Sequence, residues 1–239
     1  MTRFQRYAIY VIPDGPLAEF GAAWLGWDAV AGRVVEHPTM GRLPRPLPDI
    51  TTAPRKYGLH ATIKAPFRLA DGTTLAALMS DLAVLCDRQD PVTLEGLIPA
   101  RLGSFLALVP QGDTAALHAL AAEVVTALDR HRAPLTADDL ARRRKSALTH
   151  TQEAHLTRWG YPYVLDEFRF HITLTGSLPR ADAEMVAATL DPYLTPLLPR
   201  PFHIQSLGLM GEDTDGLFHL IHRYPLGAAV SRSNTATSA

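Results

Sequence analysis

A single cysteine, Cys86, stands among 239 residues. That scarcity excludes an intrachain disulfide and any thiolate-rich metal site. Its run, Leu82-Ala-Val-Leu-Cys86, places it as a small buried residue on a helix. Long apolar runs are also missing. Tyr7-Ala-Ile-Tyr-Val-Ile12 is too short for a signal peptide core or a membrane span and reads as a first strand ended by Pro13-Asp14-Gly15. The expected location is the cytoplasm. No one sign of charge dominates: 23 Lys and Arg face 24 Asp and Glu, a net charge of −1. This argues against a protein held to nucleic acid by global electrostatics, while leaving room for a local basic cleft. No glycine-rich loop follows the first strand, so dinucleotide-binding and P-loop readings fail. No Gly-x-Ser-x-Gly elbow offers a serine nucleophile.

Apolar side chains make up 47% of the chain, enough for a full core without covalent staples. After the first strand, residues 16–27 have helical composition with proline in the first turn. Residues 32–56, with five prolines, predict a long ordered loop. A helix is expected over 75–88, capped by Thr73, then strands at 92–98 and 105–109 and a helix from 113 or 114 to about 131. Residues 132–163 break this rhythm with two short helices. The first is capped by Thr136 and the second is ended by Gly160. Four consecutive basic residues, Arg142 to Lys145, fan around the end of the first and predict a mostly solvated helix terminus. A helix around 180–190 and a hairpin over 202–222 follow. The tail 227–239 has a disordered composition. Strand pairs joined by short turns and mixed with helices define an α+β chain with antiparallel sheets.

Chemistry concentrates in two stretches, Tyr57-Gly-Leu-His-Ala-Thr-Ile-Lys-Ala-Pro-Phe67 and Phe168-Arg-Phe-His-Ile-Thr-Leu-Thr-Gly-Ser-Leu178. Each sets His-x-Thr in an alternating run. On a strand, His60, Thr62 and Lys64 share one face, as do His171, Thr173 and Thr175. His-x-Thr also occurs at His37 and His155, but in a proline-rich loop and a helical stretch respectively. The matched pair with matched flanks predicts a duplicated half-site whose halves meet across one cleft. Two imidazoles can divide base and acid roles, and the threonine hydroxyls can bond phosphoryl oxygens. Arg55, Lys56 and Lys64 are expected to meet an anionic substrate, Arg55 and Lys64 by neutralising developing charge. Tyr161 and Tyr163, in an aromatic loop before the second stretch, are expected near the substrate. With two histidines and no carboxylate on the motif face, a closed metal triad is not evident, and no metal or other cofactor is expected.

These two motifs resemble those of the 2H phosphoesterase superfamily, named for its pair of His-x-Thr/Ser motifs. The run Arg55–Arg68 more closely resembles the DUF1045 family, often labelled putative phosphonate metabolism proteins. The likeness continues through Arg142-Arg-Arg, Gln152-Glu, Arg158-Trp-Gly-Tyr-Pro-Tyr163 and Glu167–Gly176. The resemblance implies a bilobal α+β fold, with two antiparallel-sheet lobes, outer helices and pseudo-twofold symmetry around a central cleft. It is expected to occupy residues 1–226 as one unit, with 132–163 an insertion forming a lid or wall. It implies that His60 and His171 are the acid/base pair and Thr62 and Thr173 the phosphate-binding hydroxyls. The expected activity is metal-independent hydrolysis of a small nucleotide or sugar cyclic phosphate. The alternatives are an RNA 2′,3′-cyclic phosphodiesterase or ligase-like enzyme, and a non-catalytic phospho-ligand sensor. No membrane partner is expected.

Overall fold

The computed structural model describes residues 4–145 and 147–227. The predicted disordered tail beyond Gly227 lies outside the described residues. The chain opens with β1 (Arg6–Val11), α1 (Gly15–Leu25) and a small ribbon, β2 (Trp27–Asp28) with β3 (Arg33–Val34). Then come α2 (Leu47–Arg55), β4 (Ala61–Phe67), α3 (Leu75–Asp87), β5 (Val92–Leu94), β6 (Gly96–Leu102), β7 (Phe105–Gln111) and α4 (Ala115–Ala127). The region after them holds α5 (Ala137–Arg143) and α6 (His150–Trp159). Last are β8 (Ile172–Thr173), α7 (Arg180–Leu194), β9 (Phe202–Ile204), β10 (Ser206–Glu212) and β11 (Phe218–Pro225).

The architecture is α+β and antiparallel. One half is the sheet β11-β10-β1-β4 and the other is β8-β7-β6, and the two join edge to edge through β4 and β8 into seven strands. Their junction is a single register pair, Ala61 with Ile172. Extending that register one residue each way sets His60 opposite Thr173 and Thr62 opposite His171. Opposed residues share a face of the sheet, so a local twofold axis normal to the sheet passes through the junction and relates the two motifs, which lie on one face.

The two faces of the sheet differ. Ile9, Val11, Ile63 and Leu209 face the main core, which they share with Leu78 and Leu82 of α3, Leu117 and Val124 of α4, and Val186 and Leu190 of α7. That core is continuous across both halves, so burial on the helical side holds them together. On the opposite face of β1, Ala8 and Tyr10 pack with Trp27, Met210 and Phe218 in a smaller cluster. The motif histidines lie on this second face.

Three expectations of local structure are corrected. The proline-rich stretch 32–56 is not all loop, since α2 occupies Leu47–Arg55. Two of its prolines sit where a helix tolerates them: Pro46 at the cap and Pro48 in the first turn, where the missing N–H has no intrahelical partner. The cap of α3 is Thr74, whose hydroxyl accepts from the Ala77 amide. Thr73 instead bonds His131. The helix expected to run to His131 ends at Ala127 and resumes as a 3-10 turn at Asp129–His131.

In the 132–163 region both short helices begin with a reciprocal capping box, Thr136 with Asp139 and Thr149 with Gln152. Gly160 ends α6 in the left-handed region at φ 74°. Such caps are worth about 1 kcal/mol each, and helices this short depend on them.

Candidate active site

His60 and Thr62 stand at the floor of a cleft of about 670 Å³, with Thr173 from β8, Phe105 from β7 and Tyr161 from the 132–163 region in its walls. His171 lies beside it, its ring 5.7 Å from that of Phe105. The two imidazoles are held in the same way. His60 Nδ1 donates to the Gly58 carbonyl at 3.0 Å. His171 Nδ1 donates to the Arg169 carbonyl at 2.8 Å. In both cases the acceptor is two residues upstream. A carbonyl accepts only, so Nδ1 carries a proton in both rings and Nε2 is the nitrogen left to exchange protons with a substrate. At His60, Nε2 accepts from the Thr62 hydroxyl at 3.1 Å.

The surroundings of His60 are aromatic. Tyr10 stacks on the ring at 3.9 Å and Tyr57 lies tilted against it at 5.5 Å. The ring borders the cleft yet is poorly hydrated. Burial lowers its pKa to about 4, against the Gly58 carbonyl bond, which favours the cation, and with a smaller contribution from the nearby charge of His171. Gly58 makes this placement possible. It sits at φ +70°, where L side chains rarely go, and an added Cβ would stand 2.7 Å from the Ala29 Cβ.

Lys64 does not share the face of His60. Tyr10 pairs with Thr62, but Ile9 pairs with Lys64, and the register shift between them inserts one extra residue in β4. That bulge reverses the alternation. Lys64 therefore enters the helical side, where Nζ donates to the Val125 carbonyl at 3.0 Å and lies 3.7 Å from Asp129. Burial lowers its pKa to about 8, partly offset by Asp129. Arg55 is also turned away. It donates to the carbonyls of Leu25 and Pro48 and to the Thr51 hydroxyl, and it does not line the cleft. Lys56 does line it, with Nζ 4.8 Å above the Tyr57 ring. Tyr161 is in the wall, and Tyr163 is exposed outside it with its ring 5.7 Å away. The Thr175 hydroxyl is taken by the backbone, accepting from the Leu106 amide.

The basic fan at 142–145 was expected to be mostly solvated. Arg144 fits that expectation, pairing with Glu153 at the surface. Arg142 and Arg143 instead line the cleft. Helical periodicity alone cannot say which part of a four-residue fan faces inward. The side is set by where α5 docks, and Arg68 from the end of β4 anchors it through Asp139 at 2.7 Å. Arg6, at the start of β1, is a fourth cation of the cleft and had no sequence signal. The cleft is thus bordered by Arg6, Lys56, Arg142 and Arg143, and among the described residues no Asp or Glu lines it. In a chain of net charge −1 this is a concentrated anion-attracting surface. Among the described residues, no group of three or more His, Cys, Asp or Glu side chains is placed to hold a metal ion. No helix among them is long and apolar enough to cross a membrane.

A family profile described as protein of unknown function (DUF1045) matches residues 62–219, and the chain belongs to that family. The match takes in Thr62, His171 and Thr173 and starts two residues after His60. The chain is 37% identical over 218 residues to a Janthinobacterium sp. (strain Marseille) protein named ribose 1,5-bisphosphate phosphokinase PhnN, covering 88% of this chain and 48% of the relative. It is 33% identical over 237 residues to a Laribacter hongkongensis (strain HLHK9) protein of the same name, covering 96% and 55%. The chain therefore spans about half the length of the curated relatives it matches. Among solved structures, E. coli LigT complexed with NADP+ is similar at 12% identity and a TM-score of 0.43, over 94% of this chain and 99% of that one. TT0787 of Thermus thermophilus is similar at 14% identity and a TM-score of 0.44, over 93% and 98%.

Proposed function

We propose that this chain is a metal-independent cyclic phosphodiesterase acting on a small sugar cyclic phosphate. The observation that carries the reading is the pairing of His60 and Thr62 with His171 and Thr173 across one strand junction. Beside it lies a cleft lined by four cations and, among the described residues, no carboxylate. His60 is neutral at pH 7, because burial holds its cation unfavourable. It is the general base, and its Nε2 takes a proton from the attacking water. The water oxygen bonds to phosphorus while the bond to the ester oxygen breaks. The acid role falls to His171, which delivers a proton to that leaving oxygen. On substrate binding the Thr62 hydroxyl turns from His60 Nε2 to the phosphate, and it and the Thr173 hydroxyl donate to the non-bridging oxygens as negative charge grows on them. Water is consumed, one P–O bond forms, one breaks, and a phosphate monoester leaves.

The substrate class follows from the chemistry of the site together with the relatives. A cleft of about 670 Å³ falls in the range of small-molecule sites. The curated relatives are named for a kinase of ribose 1,5-bisphosphate. A kinase needs a phosphate-cradling loop of the Gly-x-x-x-x-Gly-Lys-Ser/Thr kind or its equivalent, and that sequence is absent from this chain. We assign the kinase activity of those longer proteins to their other half and a preceding step to the half resembling this chain. Opening a phosphodiester that bridges O1 and O2 of ribose 5-phosphate at its O2 bond yields ribose 1,5-bisphosphate. This makes a ribose 5-phosphate 1,2-cyclic ester the favoured substrate.

The test is hydrolysis of a panel of cyclic esters with EDTA present. The panel holds that ester, its counterpart without the 5-phosphate, 2′,3′-cyclic nucleotides and ADP-ribose 1″,2″-cyclic phosphate, each beside His60→Ala and His171→Ala. Turnover that survives EDTA and is lost in both variants is expected. Activity abolished by chelation overturns the metal-independent mechanism. Turnover confined to cyclic nucleotides moves the assignment to RNA ends, and tight binding without turnover moves it to a sensor.

A further inference from the structure

The four cleft cations are not equally engaged. Arg6 is paired with Glu212, and Arg142 with Asp139. Lys56 lies over an aromatic ring. Arg143 stands apart: among the described residues it has no carboxylate within ion-pair distance, and its buried Nε has no hydrogen-bond partner. Buried donors are nearly always satisfied, so an orphan beside a cleft calls for a missing acceptor. The guanidinium is nonetheless held in position. It stacks 4.7 Å above the Tyr161 ring, and it closes the last turn of α5, whose start is pinned by the Thr136 capping box. Burial disfavours its cation most, and the charges of Arg142 and Arg6 add to this, against Tyr161 and Asp139, which favour it. An anion placed among the three would relieve both effects. The two His-x-Thr pairs already account for the diester, and a planar fork with free N–H groups matches the several oxygens of a phosphate monoester.

We propose that Arg143, supported by Arg142 and Arg6, is a second anion subsite of this cleft that binds a phosphate monoester on the same molecule whose cyclic diester lies at His60 and His171. The inference rests on the proposed function and narrows its substrate to sugar cyclic phosphates carrying a separate terminal phosphate. It makes Arg143 a specificity residue that does not touch the reacting phosphorus.

The experiment compares kcat/KM for the ribose 1,2-cyclic ester with and without its 5-phosphate, in wild type, Arg143→Lys and Arg143→Gln. Circular dichroism checks that each variant is folded. Wild type is expected to prefer the 5-phosphorylated ester by roughly 10- to 100-fold, the worth of one or two charge-assisted contacts. Arg143→Gln is expected to bring that ratio close to one, and Arg143→Lys, which keeps the charge and loses the fork, to fall between. A wild-type ratio near one, or a ratio unchanged in Arg143→Gln, overturns the subsite while leaving the phosphodiesterase reading intact. If no ester is turned over, calorimetry of ribose 1,5-bisphosphate against ribose 1-phosphate, which lacks only the 5-phosphate, decides the question. A gain from the second phosphate that vanishes in Arg143→Gln keeps the subsite although the proposed reaction has failed. An equal gain in both proteins overturns it.

Discussion

The acid limb of the pH–rate profile is the sharpest consequence of the way His60 is enclosed. The structure moves its pKa from 6.5 to about 4, through the Tyr10 stack at 3.9 Å and the Tyr57 ring beside it. If His60 is the base, kcat/KM must fall as pH drops through about 4, because protonation removes the Nε2 lone pair. The difference is large at pH 5.5. A base of pKa 4 is about 97% neutral there, whereas one of pKa 6.5 is about 9% neutral, a gap of roughly tenfold in rate. The assay should use the cyclic ester that lacks a 5-phosphate. Its diester stays ionised throughout, so the limb belongs to the enzyme. Tyr10→Ala should admit water against the imidazole and move the limb up toward 6.5, while Tyr10→Phe, which keeps the stack, should leave it low. A wild-type limb centred near 6.5, or one that Tyr10→Ala does not move, refutes the desolvated base.

The same depression has a thermodynamic side. The folded state binds fewer protons than the unfolded chain between pH 6.5 and 4, so the contribution of His60 is full above 6.5 and is lost as pH falls toward 4. Allowing for the edge of the ring that meets cleft water, the loss is about 1–2 kcal/mol, and urea melts of wild type against His60→Gln should show the smaller pH dependence in the variant. His60→Ala and His171→Ala should each lower kcat by about 10²- to 10⁴-fold with the fold retained, measured on the best ester of the panel. Gly58→Ala should lower both stability, by about 1–3 kcal/mol, and kcat, because a strained residue there shifts the carbonyl that holds His60. Lys64→Met should cost about 1–3 kcal/mol in denaturant unfolding and change kcat/KM by less than about twofold, since its ammonium bonds Val125 and Asp129 on the far side of the sheet. A large kinetic effect of Lys64→Met would contradict the bulge in β4.

Local order carried much of the reading. The first strand, the helices over 16–27 and 75–88, the Thr136 cap and the Gly160 stop all rest on neighbouring residues, and the structure has them within a few positions. The α+β class and the two-part arrangement about a cleft were legible for the same reason, since alternation, turn residues and a repeated His-x-Thr are properties of short stretches. His60, Thr62, His171 and Thr173 stand on one face because period-two alternation needs no partner to be read. Lys64 was misplaced because a bulge depends on the neighbouring strand β1, which the sequence of β4 does not describe. Arg55 and Lys56 are adjacent in sequence, yet one is spent on backbone carbonyls and the other borders the cleft. Only the docking of α2 against α1 separates them.

What the amino-acid order determined by itself, then, was which residues stand out as candidates for chemistry, two imidazoles and two hydroxyls at matched spacing, in a chain too evenly charged to grip anions everywhere. What tertiary structure alone decided was which charges meet the site. It brought Arg6 from the N-terminal strand and Arg142 and Arg143 from α5 to the same cleft, kept the carboxylates of the described residues out of the lining, and turned Lys64 and Arg55 away. It also set the protonation of His60 through Tyr10 and Tyr57. The reason is physical. Periodicity is encoded over a few residues, whereas desolvation and charge proximity are sums over whatever the whole fold brings within a few ångströms.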